Sequence, residues 1–316
     1  MRSDPTVTPW RVVYMGTPDF AVPALNGLVA GPDPVVGVFT QPDRPTGRGM
    51  RMRASPVKEV AVAGDLPVFQ PERLKNPEVL ADLTALAPDL IVVAAYGQIL
   101  PETVLALPPQ GCINVHASLL PRWRGAAPIQ RALLAGDQTS GVTIMRMEKG
   151  LDTGPILSME AIPLPDGMTG GALHDALAEL GARLLLQTIA ALKAGSIQPR
   201  PQPDAGVTHA AKLTSADERI DFMASAEMAR RQILALNPWP GAVARLDGQP
   251  VKLCGCRLGT GSGTPGTTLA IHGDGPEIAC GAGSIVVTEL QPAGKRRMSA
   301  RDWLLGRGMR LDGVWE

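Results

Sequence analysis

Short apolar runs alternate with stretches of helical spacing over the first 194 residues of the chain. The apolar runs predict strands at residues 11–15, 35–40, 67–70, 89–95, 112–115, 141–147 and 157–162. The helical spacing predicts helices at residues 20–29, 55–63, 77–86, 128–135 and 168–194. Strands that alternate with helices in this way predict an α/β domain. We expect a Rossmann-like, doubly wound and mostly parallel sheet with helices on both faces.

The pattern changes after residue 209, where one helical stretch at 220–236 precedes short alternating strands. These strands are predicted at residues 242–246, 251–256, 268–272, 277–279 and 284–290. Several short strands with glycine-rich turns predict a small OB-like β-barrel. Prolines mark the boundary, and the predicted organisation is a disordered extension (1–9), an N-terminal domain (10–194), a linker (195–208) and a C-terminal OB-like domain (209–316).

Composition and charge narrow the class of protein. The 316 residues carry no net charge, which argues against a protein coated in positive charge but permits local basic patches. The four cysteines include no Cys-x-x-Cys pair, so neither a metal site nor a disulfide framework is expected. No apolar run is long enough to span a membrane. We therefore expect a cytoplasmic protein without a membrane partner or a metal, acting as a monomer.

Candidate chemistry lies at the end of the strand at 112–115. Side chains alternate along a strand, so Asn114 and His116 point to the same side. Such an amide can donate to a developing oxyanion, and an imidazole can donate or shuttle a proton. Asp152, between glycines in the 150–154 loop, could orient His116 or accept a proton. The alternative is an ordinary strand-end pair without a catalytic role.

Ligands of parallel sheets bind beyond the carboxyl ends of the strands. Gly16 and the segments 96–100 and 114–121 follow such strand ends, so we expect them to surround one crevice. The turn after the first strand carries Pro18 and Phe20 where a dinucleotide motif has glycines, so an NAD-dependent enzyme is not expected.

Two basic segments are candidates for contact with RNA. Residues 41–53 show no hydrophobic periodicity and predict an irregular, mobile loop that holds Arg44, Arg48, Arg51 and Arg53. Arginine-rich segments of this kind often bind RNA. A second cluster consists of Lys295, Arg296 and Arg297. The alternative for both segments is a solvated surface.

Several of these motifs occur together in one known family. Asn-Val-His-Ala-Ser-Leu-Leu-Pro-Arg-Trp-Arg-Gly at 114–125, followed by Leu-Asp-Thr-Gly at 151–154, resembles the signature of the 10-formyltetrahydrofolate-dependent formyltransferases. Residues 15–20, 95–101 and 237–242 match further family motifs in the same order. The arginine segment is similar to the loop of those members that formylate methionyl initiator tRNA.

The resemblance implies a formyltransferase catalytic domain at 10–194 and a tRNA-binding domain at 209–316. It implies transfer of the formyl group of 10-formyltetrahydrofolate to the α-amino group of methionyl initiator tRNA, giving formylmethionyl-tRNA for translation initiation. The implied catalytic residues are Asn114, His116 and Asp152. The implied folate-binding residues are Tyr96, Gly97, Gln98, Ile99, Leu100, Ser118, Leu119, Leu120 and Pro121. The implied tRNA-binding residues are Arg44, Arg48, Arg51, Arg53, Lys295, Arg296 and Arg297.

Other functions stay open at this point. A formyltransferase could act on a small amine, such as an amino-sugar nucleotide or glycinamide ribonucleotide, with the same catalytic residues. A hydrolase that releases formate from the same folate would usually carry an additional domain. A non-catalytic RNA-binding protein would not need Asn114, His116 and Asp152 together. The chain departs from the family in its longer extension before Arg11 and in Phe222, where tryptophan is common.

Overall fold

A computed structural model describes residues 8–46, 51–306 and 313–316. The chain forms two compact units. The N-terminal unit contains the residues up to Gly125, Ser140–Ile162 and His174–His209. The C-terminal unit contains Ala126–Thr139, Pro163–Leu173 and Ala210–Glu316. Residues 1–7 of the predicted disordered extension lie outside the described residues.

The strands of the first half of the chain centre on one large sheet. Within the described residues up to 163 they are β1 (Val12–Gly16), β2 (Val35–Phe39), β3 (Arg44–Thr46), β4 (Arg51–Arg53), β5 (Val68–Phe69), β6 (Leu90–Ala94), β7 (Cys112–His116), β8 (Arg124–Gly125), β9 (Thr139–Arg146) and β10 (Ile156–Pro163). Seven of them form a sheet in the order β10-β9-β7-β6-β1-β2-β5. The strands from β7 to β5 are parallel, and β9 is antiparallel to β7. The predicted mostly parallel sheet is confirmed.

Burial explains the apolar runs that the sequence shows. Every residue of β1 and β6 is buried, because both strands lie inside the sheet and are covered on both faces. The helices in chain order are α1 (Val22–Val29), α2 (Pro56–Ala63), α3 (Pro77–Ala85), α4 (Glu102–Leu105), α5 (Pro128–Ala135), α6 (Gly170–Lys193), α7 (Ser215–Glu218), α8 (Ala226–Ala235) and α9 (Ala300–Leu305).

The C-terminal unit is a separate sheet domain. The short strand β11 (His209–Ala210) precedes this sheet in the chain and pairs with β8. The strands of the domain are then β12 (Ala242–Leu246), β13 (Gln249–Leu258), β14 (Thr268–Ile271), β15 (Pro276–Ala279), β16 (Ser284–Pro292) and β17 (Met298–Ser299). The order is β12-β13-β16-β15-β14, with β17 paired to β16. Trp315 bridges Leu246 in β12, and Val314 bridges Thr267 beside β14. These bridges join the two edges of the sheet, as a barrel requires.

The prediction of one helix over 220–236 is wrong at its start. Helix α8 begins only at Ala226, because the side chain of Ser225 accepts a hydrogen bond from the backbone of Met228 and caps the helix. The backbone N–H of Ile220 instead donates to the carbonyl of Val243. Residues 220–225 therefore line the sheet rather than extend the helix.

Candidate active site

Strand β7 presents two polar side chains at the carboxyl edge of the large sheet. Asn114 pairs with Met145 of β9, and His116 pairs with Thr143, which places both on one face of β7. The hydroxyl of Thr143 donates to the carbonyl of Ser118 (2.7 Å) and accepts from the N–H of Leu120 (3.1 Å). This hydroxyl fixes the turn that follows β7.

The imidazole of His116 is 5% exposed and has two different neighbours. Its Nε2 lies 2.9 Å from the carbonyl oxygen of Trp123. A carbonyl only accepts, so Nε2 carries a hydrogen. Its Nδ1 faces Oδ2 of Asp152 at 3.7 Å, which is an ion-pair distance rather than a hydrogen bond. The ring is therefore held by Trp123, and Nδ1 is the nitrogen available for proton transfer.

Asp152 occupies the loop between β9 and β10 in the left-handed backbone region, with φ +53°. Its Oδ2 accepts a hydrogen bond from the backbone N–H of Gly125 at 2.8 Å. Gly154 in the same loop has no room for a side chain, since an added Cβ would lie 2.0 Å from the carbonyl oxygen of Arg146. The tight loop thus aims one carboxylate oxygen at both Gly125 and His116.

The side chain of Asn114 is half-buried and makes no hydrogen bond within the residues that the structure describes. Its amide is free to donate to a bound molecule. The free amide, the imidazole nitrogen and the carboxylate together suit a reaction in which a carbonyl oxygen gains negative charge while a proton moves.

Some residues of the predicted folate segment at 96–100 are held by contacts within the protein, and others are exposed to a ligand. The Tyr96 ring is 2% exposed, and its carbonyl accepts from the hydroxyl of Thr17 (3.0 Å). Gln98 is hydrogen-bonded to the N–H of Leu74 and the carbonyl of Pro71. Gly97 is exposed and Leu100 is buried, while Ile99 is 89% exposed. Gly97 and Ile99 are therefore the parts of this segment that can contact a ligand.

The second predicted folate segment, 118–121, follows β7 directly. The hydroxyl of Ser118 donates to the carbonyl of Arg122 (2.7 Å), so it stabilises the turn itself. Leu120 is buried against other apolar side chains. Leu119 and Pro121 are half-buried and remain available to a ligand.

The predicted irregular loop at 41–53 contains two paired strands, which corrects that prediction. Strands β3 and β4 form an antiparallel hairpin in which Arg44 lies opposite Arg53. Both arginines are exposed, and neither has a carboxylate partner in the described part of the chain. Asp43 binds Lys58 (2.6 Å) and Gln70 instead, and these hydrogen bonds lower its pKa. Arg48 and the side chain of Arg51 lie outside the described residues.

Only part of the basic cluster in the C-terminal unit can contact an anion. Arg297 forms an ion pair with Glu289, which raises its pKa, and donates to Oδ1 of Asn237 at 3.0 Å. Lys295 and Arg296 are exposed and have no ion-pair partner among the described residues. Two of the three predicted cations are thus free to contact an anion.

Three residues outside the predicted site support it: Trp123 contacts His116, Gln202 contacts Asp152, and Thr208 contacts Trp123. Gln202 and Thr208 fall in the predicted linker, and nothing local in the sequence marks their contacts with Trp123, Arg124, Asp152 and Gly154. Among the described residues, no group of three or more histidine, cysteine, aspartate or glutamate side chains could hold a metal ion. In the same part of the chain, no helix is long and apolar enough to cross a membrane.

Comparison with known proteins shows which family the chain belongs to. A family model described as "Formyl transferase" matches residues 10–189, and one described as "Formyl transferase, C-terminal domain" matches residues 212–308. The chain is 52% identical over 304 residues to the methionyl-tRNA formyltransferase of Magnetococcus marinus, covering 96% of this chain and 97% of that protein. The chain belongs to the methionyl-tRNA formyltransferase family. The relative from Pseudomonas entomophila is 50% identical over 303 residues, covering 96% of this chain and 98% of that protein.

Solved structures share the fold of this family at low sequence identity. The N-formyltransferase from Helicobacter canadensis in complex with folinic acid and dTDP-3-aminofucose has a TM-score of 0.67 at 16% identity, covering 88% of this chain and 99% of that one. HypX from Aquifex aeolicus in complex with tetrahydrofolic acid has a TM-score of 0.63 at 16% identity, covering 94% of this chain. The chain spans 47% of the length of HypX. The predicted family and fold class are confirmed, whereas the predicted domain bounds stay a prediction.

Proposed function

We propose that this chain transfers the formyl group of 10-formyltetrahydrofolate to the α-amino group of methionyl initiator tRNA. The product, formylmethionyl-tRNA, serves translation initiation. The observation that carries the proposal is the grouping of Asn114, His116 and Asp152 at one strand end, in a chain about half identical to methionyl-tRNA formyltransferases over nearly its whole length.

The three side chains have separate roles in this reaction. The methionyl amine attacks the formyl carbon, a C–N bond forms, and the carbonyl oxygen becomes a tetrahedral oxyanion. The Asn114 amide donates to this oxyanion, together with His116 in its protonated form. Asp152 supplies the counter-charge to the imidazolium and helps to remove the amine proton. The bond between the formyl carbon and N10 of the folate then breaks, and N10 takes up a proton.

The two substrates contact different segments of the chain. The folate lies along residues 96–100 and 118–121, where Gly97, Ile99, Leu119 and Pro121 are accessible to it. The tRNA contacts the arginine hairpin, whose opposed Arg44 and Arg53 lack carboxylate partners among the described residues. Lys295 and Arg296 bind further phosphates. The four cysteines are free, which suits a reducing cytoplasm, and we propose that the protein acts there as a monomer.

A transfer assay with three acceptors tests the proposal. The protein is incubated with 10-formyltetrahydrofolate labelled in its formyl group and with methionyl initiator tRNA, an amino-sugar nucleotide or glycinamide ribonucleotide. We expect label in the tRNA alone. Label in a small amine would overturn the proposed acceptor, and free labelled formate without transfer would indicate a hydrolase.

A further inference from the structure

Two residues that flank His116 hold unusual backbone conformations. Trp123 has φ +62° and Asp152 has φ +53°, in a region that residues with side chains rarely adopt. The carbonyl of Trp123 binds Nε2 of His116, and the carboxylate of Asp152 faces Nδ1. Such conformations persist only where the surrounding structure holds them firmly. The contacts of both imidazole nitrogens therefore depend on the groups that restrain Trp123 and Asp152.

One side chain, Gln202, restrains the loop that carries Asp152. Its Nε2 donates to the carbonyls of Asp152 and Gly154, both at 2.8 Å. Its Oε1 accepts from Nε (3.0 Å) and Nη2 (2.7 Å) of Arg124. The neighbouring Gly125 donates its N–H to the Asp152 carboxylate at 2.8 Å. Hydrogen bonds from Arg124 to Gln202, from Gln202 to Asp152 and from Gly125 to Asp152 thus form a ring that the peptide bond between Arg124 and Gly125 closes.

The same segment of chain restrains Trp123. The hydroxyl of Thr208 accepts from the N–H of Trp123 at 2.9 Å, and its carbonyl accepts from the N–H of Arg124 at 3.0 Å. Arg200 pairs with Ile156 in two backbone hydrogen bonds. Gln202 is half-buried although residues 201 and 203–206 are exposed, so its side chain turns inward. Residues 200–208 therefore serve the site as well as connecting two parts of the chain.

We propose that Gln202 is a positioning residue for formyl transfer, which holds Asp152 at Nδ1 of His116 by fixing the backbone at residues 152–154. This inference rests on the proposed function. A misplacement of about 1 Å in a catalytic group can cost about 100-fold in rate. The gap of 3.7 Å between Asp152 and His116 is sensitive to a movement of that size.

The variant Gln202→Glu tests the positioning role directly. It keeps the size of the side chain and the acceptor for Arg124, but it sets a carboxylate oxygen against the two carbonyls. We expect kcat to fall about 10- to 100-fold while KM for folate and tRNA changes less than about twofold. The matched control is Gln138→Glu, because the exposed Gln138 amide donates to the carbonyl of Gly136. An unchanged kcat in Gln202→Glu would overturn the proposal.

A double variant separates positioning from general structural damage. If Gln202 acts through Asp152, Gln202→Glu should reduce the rate less than about twofold once Asp152 is already alanine. Single-turnover reactions with enzyme in excess measure these low rates. If the rate reduction in the double variant equals the product of the reductions in the two single variants, Gln202 acts independently of Asp152.

Hydrogen exchange gives a result that does not depend on activity. In Gln202→Glu we expect the Gly125 amide and the 150–156 segment to exchange at least about tenfold faster, since local opening exposes hydrogen-bonded amides. Unchanged exchange would contradict the restraint itself. If the unaltered protein transfers no formyl group, the proposed function fails, whereas the exchange experiment still decides whether Gln202 holds the loop.

Discussion

At the scale of single residues, the contacts of His116 assign its two nitrogens. Nε2 donates to the carbonyl of Trp123, so this nitrogen orients the ring and is not available to substrate. Nδ1 faces Asp152, and the Asn114 amide on the same face of β7 has no protein partner among the described residues. In the proposed reaction, Asn114 and His116 stabilise the oxyanion and Asp152 helps to remove the amine proton.

Removal of either donor should disable the chemistry without unfolding the protein. We expect Asn114→Ala and His116→Ala each to lower kcat about 100- to 1000-fold, the usual cost of a lost oxyanion donor. Single-turnover formylation measures the rate, and thermal unfolding checks that the fold is intact. Asn26→Ala, an exposed asparagine in α1, is the control. Near-full activity in either site variant would remove that residue from the mechanism.

The sequence could predict some of these residues and not others. Asn114 and His116 were predictable because side chains alternate along a strand, and Asp152 because it stands between glycines in a loop. The bonds from Gln202 reach 78 residues to Arg124 and 50 to Asp152. No local pattern reports contacts over such separations, so the proline-rich segment 195–208 predicts only a linker.

At the scale of elements, the pairing of β3 with β4 brings two exposed arginines together. Arg44 and Arg53 are a directly opposed cross-strand pair, and like charges in that position destabilise a hairpin. The sequence did not predict these strands, because three-residue strands without apolar alternation give no periodic signal. A bound phosphate would relieve the repulsion.

Loss of either hairpin arginine should affect one substrate only. We expect Arg44→Ala and Arg53→Ala to raise KM for tRNA about tenfold, to leave KM for the folate unchanged and to lower the salt dependence of tRNA binding by about one phosphate contact. Arg73→Ala, at an exposed arginine, is the control. Equal effects on both substrates would contradict an RNA-specific role.

A buried carboxylate stabilises the C-terminal sheet. Glu277 in β15 is 4% exposed and accepts hydrogen bonds from the Ser284 hydroxyl, His272 Nε2 and the N–H groups of Thr260 and Gly261, at 2.6 to 2.9 Å. The Ser284 bond is the largest cause, and together these donors lower the pKa of Glu277 from 4.5 to about 2. They tie the 259–261 loop to the sheet.

This lowered pKa predicts how stability depends on pH. Because the folded pKa is below the unfolded one, the stabilisation is complete above pH 4.5 and is lost as pH falls towards 2. The difference corresponds to about 3 kcal/mol at neutral pH. We expect Glu277→Gln to lower the free energy of unfolding at pH 7 and to weaken its acid dependence, with exposed Glu179→Gln as the control. The same acid dependence in both variants would refute this role.

At the scale of the whole molecule, charge must act locally. Thirty lysine and arginine residues balance thirty aspartate and glutamate residues, so a large nucleic acid is not attracted by net charge. In the proposed function the attraction therefore comes from Arg44, Arg53, Lys295 and Arg296, which are exposed and have no ion pair among the described residues. The alternation of strands and helices predicts the α/β fold of the first part of the chain, and the short alternating strands predict the sheet of the second part, but neither pattern shows which cations are already paired.

The most direct test compares two tRNAs charged with the same amino acid. Single-turnover transfer from labelled 10-formyltetrahydrofolate is measured with methionyl initiator tRNA and with methionyl elongator tRNA, using the unaltered protein. We predict rapid formylation of the initiator and only background transfer to the elongator, because the acceptor is recognised through its RNA as well as its amine. Equal rates with both would contradict recognition of the initiator, and no transfer to either would contradict the proposed function.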